Sequence, residues 1–216
     1  MIERTIATTT HGRYAVVPPA SGGGPMLVGF HGYAESAETQ LERLRQIPGA
    51  DRWLIVSIQG LHRFYQRRTS EVIASWMTRQ QRELAIADNV AYVAAVVAEA
   101  AREFEAAEKI VYAGFSQGVA MAFRAAAAAA LPVAGVVAAG GDVPPEIERA
   151  GLARVGRALV CRGAADEWYT SSKFNDDLAR LRAAGVDARA LEFQGGHEWS
   201  AEVVDAAGEF LRERMR

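Results

Sequence analysis

The chain has 216 residues, half of them hydrophobic, and a formal charge of −2 with acids and bases interspersed. That length supports one substantial core, and no charge-rich or low-complexity break suggests a second, so a single domain over residues 1–216 is expected. The charge balance gives no footing for nucleic acid or a polybasic membrane contact, no stretch reads as a signal peptide or a membrane span, and a cytoplasmic location is the default expectation.

Residues 2–9 and 13–17 read as two strands joined at His11-Gly12, an opening antiparallel hairpin ended by Pro18-Pro19. A connector, Ser21-Gly-Gly-Gly-Pro25, leads to Met26–Phe30, a continuous apolar run of the kind buried on both faces of a parallel sheet. After Ser36, Leu41, Leu44 and Ile47 recur at helical spacing, and Trp53–Val56 reads as the next buried strand. Residues 59–79 show neither period and read as a long loop, a length that goes with function or motion. A long alanine-rich helix is expected over 80–107.

The run Lys109–Ala113 then ends in Gly114-Phe-Ser-Gln-Gly118 and passes into helix-favouring residues, including the six alanines 125–130. Strands follow at 133–138, ending in Gly140-Gly-Asp142, and at 157–161, ending in Gly163-Ala-Ala-Asp166. The only cysteine, Cys161, lies in that second apolar run, which excludes an intrachain disulfide and reads as a buried, inert thiol. Helix 171–184, strand 188–193, Gly195-Gly-His197 and a terminal helix over 199–215 complete the chain. This alternation describes an α/β protein with a mostly parallel central sheet between two helical layers, and no segment between 139 and 157 is long enough for a large lid domain.

A G-x-S-x-G between a strand and a helix is a nucleophile elbow, a tight turn that lifts a serine hydroxyl clear of the sheet. Ser116 is then the candidate nucleophile, and it needs a base. In a parallel sheet the residues just beyond the carboxyl ends of strands are those able to converge. His197 has that placement late in the chain. His11 and His62 read as surface residues, and His31 as a loop-shaping residue. The orienting acid must lie between nucleophile and base; Asp166, after the second strand beyond the elbow, is preferred to Asp142, after the first, whose other reading is a cap on the segment at Pro144-Pro145. Asp176, Asp177 and Asp187 read as solvated. Backbone N–H groups of Gln117 and of Tyr33, or of Ala34 beside it, are the candidate oxyanion donors.

Together the elbow, His31-Gly32 after a buried strand, Asp166 after Arg162-Gly163 and Gly-Gly-His197 resemble the phospholipase/carboxylesterase group of α/β-hydrolases, which includes the acyl-protein thioesterases. The resemblance runs from about residue 26 to the C-terminus. It implies a three-layer α/β-hydrolase fold and a cofactor-free, metal-free esterase or thioesterase with Ser116, Asp166 and His197 as its triad. The chain departs from that pattern at Val119, at Tyr33-Ala34-Glu35 and at Glu167-Trp-Tyr169. Trp76 and Trp168 are the expected pocket walls, Arg63, Arg67 and Arg68 a solvated basic loop, and a small- to medium-chain ester or thioester the expected substrate. The sequence leaves the oligomeric state open. Rival readings are an amide or carbon–carbon hydrolase on the same fold, and a non-catalytic small-molecule binder.

Overall fold

A computed structural model describes residues 1–20 and 22–214. Ser21 of the connector and the expected helix end at 215 lie outside the described residues. The elements run β1 (Arg13–Val17), β2 (Met26–Phe30), α1 (Ala37–Arg45), β3 (Leu54–Gln59), β4 (His62–Tyr65), β5 (Val72–Ser75), α2 (Arg82–Glu103), β6 (Ile110–Phe115), α3 (Gln117–Ala128), β7 (Val133–Ala139), α4 (Arg149–Ala153), β8 (Arg157–Gly163), α5 (Ser171–Ala183), β9 (Asp187–Phe193) and α6 (Ala201–Arg214).

Seven strands form one sheet in the order β1-β3-β2-β6-β7-β8-β9. All neighbours are parallel except β1, which runs antiparallel to β3 with Tyr14 opposite Ile58. The apolar runs alternate between two cores. Met26, Val28, Ile110 and Tyr112 face α2, α3 and α5, whereas Leu27, Val111 and Ala113 face α1 and α6. Burial on both faces explains why these strands carry no polar alternation. Ser36 caps α1 by accepting the Thr39 amide at 3.3 Å.

Three expectations are corrected. Residues 2–9 form no strand, so there is no opening hairpin; β1 finds its partner in β3 instead. Ile2 and Ile6 would share one face of a strand, but both are exposed, so that face has nothing to pack against. Residues 59–79 are not an irregular loop: β4 and β5 pair as an antiparallel hairpin, His62 opposite Ser75. All four β4 residues are exposed, which erases the period-2 signal, and β5 is held instead through Ala74, bridged to Glu35. Finally, α2 is long and apolar enough to cross a membrane by length and composition, against the expectation of no such stretch. In the fold its stripe of Ala85, Asn89, Val93, Val96, Val97 and Ala100 is buried, and its valines pack on the core.

Candidate active site

At the carboxyl end of β6 the chain turns through Ser116 at φ 53° and ψ −120°, outside the regions favoured by L-residues. The surroundings enforce this. A Cβ on Gly114 would overlap the Gly118 carbonyl, and one on Gly118 would overlap the Phe30 carbonyl, so a glycine at each position lets the turn nest against β2.

Three strand ends meet there. Ser116 Oγ lies 2.8 Å from His197 Nε2, and His197 Nδ1 lies 2.8 Å from Asp166 Oδ2. A carboxylate only accepts, so Nδ1 carries the proton and Nε2 is left to accept from the serine hydroxyl. Asp166 is buried, and its second oxygen accepts the Trp168 and Tyr169 amides at 2.8 and 2.9 Å. Those bonds fix the carboxylate after β8. Asp142, the alternative acid, is exposed and pairs with Lys173 at 3.3 Å, so it does not orient the histidine. The segment at Pro144-Pro145 is a turn, not a helix for it to cap, and α4 starts only at Arg149 with Glu148 as its N-cap.

The loop after β2 is equally constrained. Buried His31 stacks on Trp76, its Nδ1 bonds the Gly32 carbonyl at 2.7 Å and its Nε2 accepts the Gly60 amide at 3.0 Å. Burial lowers its pKa, and the bond from Gly60 needs a neutral ring. The Gly32 amide donates to Glu35 Oε2 at 2.7 Å. Arg43 grips both Glu35 oxygens at 2.6 and 2.7 Å and lies over the Phe115 ring. Burial would raise the Glu35 pKa, but the Arg43 hydrogen bonds and charge outweigh it and hold the carboxyl below its ordinary value. The Ala34 amide is committed to the Ala74 carbonyl at 3.0 Å, which removes it as an oxyanion donor. The candidate donors are therefore Tyr33 and Gln117, whose N–H opens α3 and has no intrahelical acceptor.

A cleft of about 800 Å3 opens above Ser116, with Trp168 exposed on its wall. Trp76 is not a wall. It is fully buried, edge-on to Phe30, with Nε1 donating to the His31 carbonyl at 2.9 Å. Its amide donates to the Gln117 side chain, and its carbonyl accepts from Asn89 Nδ2. Asp177 is a second correction: it is buried, not solvated, and accepts the Val143 amide at 2.9 Å and the Tyr169 hydroxyl at 3.1 Å. Its place on the buried stripe of α5, three residues after Phe174, was readable in the sequence. The Glu35–Arg43 bracket, an i,i+8 pair crossing from loop to helix, left no pattern to find. Cys161 is fully buried, and desolvation raises its pKa.

The family described as phospholipase/carboxylesterase matches residues 11–214. None of the curated proteins matches by sequence. Among solved structures, similarity extends to Zea mays acyl-protein thioesterase 2 (TM-score 0.75, 18% identity, covering 95% of this chain and 100% of that one). It extends also to esterase PE8 (0.73, 22%, 94% and 99%) and to a Bacillus cereus carboxylesterase (0.73, 16%, 94% of each chain). At these identities the likeness is one of fold: a mostly parallel sheet with an antiparallel edge pair and helices on both sides, the α/β-hydrolase arrangement.

Proposed function

The chain belongs to the phospholipase/carboxylesterase family of hydrolases, and from that premise we propose that it hydrolyses carboxylic esters or thioesters through an acyl-Ser116 intermediate. The observation that carries the reading is the unbroken hydrogen-bond chain Ser116–His197–Asp166, with 2.8 Å at each link. In this reading Ser116 Oγ attacks the acyl carbon while His197 Nε2 takes the hydroxyl proton. Asp166 holds the Nδ1 proton, which sets the tautomer and stabilises the imidazolium. The carbonyl oxygen becomes an oxyanion facing the Tyr33 and Gln117 amides, donors of a kind worth about 3–4 kcal/mol each. Collapse expels the alkoxide or thiolate, which receives the proton from His197. Water then attacks the acyl-enzyme, giving its proton to His197, and the second collapse returns the proton to Ser116 as the acid departs.

Ser116→Ala is expected to abolish turnover and fluorophosphonate labelling while leaving the circular dichroism spectrum and the melting curve close to wild type. A full-rate variant would refute the nucleophile. Rates on matched ester, thioester and anilide substrates then rank the bonds cleaved. A protein that only bound its ligand would leave the fluorophosphonate unreacted.

A further inference from the structure

Ala120 and Arg124 follow Ser116 at four-residue steps along one face of α3, so the cleft runs from the serine for roughly 12 Å by the helical rise. Met77, Pro144 and Pro145 join Ala120 in walling that groove with apolar surface. Arg124 closes its far end. Only 5% of this side chain is exposed, unusual for an arginine whose nearest carboxylate lies at the surface. Its Nε and Nη2 converge on one oxygen of Glu146, at 2.9 and 2.5 Å. Its Nη1 faces the Met77 sulfur at 3.9 Å, a weak acceptor.

Arg82 reaches the other Glu146 oxygen at 3.7 Å and also lines the groove. Two cations thus share one carboxylate, leaving a net positive charge at this end. Elsewhere in the cleft Arg43 pairs with Glu35 and Lys173 with Asp142, while Glu198, next to His197, puts a negative charge at the serine end, away from Arg82 and Arg124. Arg82 is moreover the first residue of α2, where the positive end of the helix dipole opposes a cation, and Gln81 at the N-cap gives no side-chain hydrogen bond. Arginine is a poor choice there for helix stability and a good one for an anion.

We propose that the cleft selects substrates with an anionic group, a carboxylate at the far end of an apolar chain, received by Arg82 and Arg124 while the scissile carbonyl sits at Ser116. This rests on the hydrolase reading for the position of the reacting bond, but the anion site is testable without turnover. Calorimetric titration compares monomethyl suberate with its uncharged dimethyl ester on the Ser116→Ala protein, which cannot turn them over, with and without Arg82→Gln. The monoanion is expected to bind at least about tenfold tighter, with the advantage shrinking in Arg82→Gln and at high salt. Equal binding of the two esters overturns the site.

Kinetics then assign the direction of binding. The ratio of kcat/KM between p-nitrophenyl hemiesters of adipic, suberic and sebacic acids and their methyl-capped counterparts tests an anion on the acyl side. Acetates of ω-hydroxy acids and their methyl esters test one on the alcohol side. A preference for the anion on either side that Arg82→Gln erases supports the proposal. A parallel fall on charged and capped substrates would mean that Arg82 only braces the fold, and would overturn it. Fluorophosphonate labelling with hydrolysis that ignores charge also sinks the anion site and leaves the hydrolase reading standing. Tight monoanion binding without labelling or hydrolysis does the reverse.

Discussion

His31 shows how one side chain can serve the site without taking part in its chemistry. Its ring is neutral because Gly60 donates to Nε2, and burial lowers its pKa from the ordinary 6.5. Between the lowered folded value and 6.5 the unfolded chain binds more protons than the folded one, so stability rises with pH in that window. The contribution is whole above 6.5 and is lost on acidification below it. His31→Asn should therefore flatten the decline in melting temperature between about pH 7 and about pH 5, whatever it does to the neutral-pH value; an unchanged slope would reject the assignment. Residues of this kind divide by how much of their role is local. Ser116, Asp166 and His197 were legible because the turn glycines and strand ends that present them lie beside them in the chain. Arg124 was not, because an alanine-rich helix hides it and Glu146, which explains it, arrives 22 residues later.

Among the elements, the β4–β5 hairpin is tied to the Ser116 end of the sheet by Ala74, by Ser75 and above all by Trp76, just past its second strand. Trp76 binds the His31 carbonyl through its indole, the Gln117 side chain through its amide and Asn89 through its carbonyl, so β5, α2, α3 and the loop after β2 share one node. Trp76→Phe keeps the contact with Phe30 but removes the indole donor. It is expected to cost about 1 kcal/mol in denaturant unfolding. It should also lower kcat more than it raises KM, since the loop carrying Tyr33 is what loosens. A variant with wild-type kcat would separate the node from the chemistry. The same node explains what the sequence concealed. Doubly buried strands announce themselves as apolar runs, as Met26–Phe30 does, and helices by their spacing. A hairpin with one wholly exposed strand, fixed by a backbone bridge from Ala74 to Glu35, has no such period.

For the whole molecule, the cores lie between residue 14 and the end of α6, and the N-terminal segment adds nothing to them. Removing residues 2–9 should change unfolding free energy by no more than about 0.5 kcal/mol, because Tyr92 still holds the Arg13 carbonyl and β1 still pairs with β3. A loss of several kcal/mol, measured by chemical denaturation, would show that the segment packs on the fold. The order of the sheet carries a further consequence, one of timing. Ser116 follows β6, well inside the sheet, whereas its hydrogen-bond partner His197 follows β9, an outer strand and the last in chain order among the described residues. A growing chain can thus place Ser116 in the sheet before His197 is there to meet it. Under the proposed mechanism the relay from Ser116 to His197 can close only when β9 docks beside β8, so the first turnover would report the docking of that outer strand.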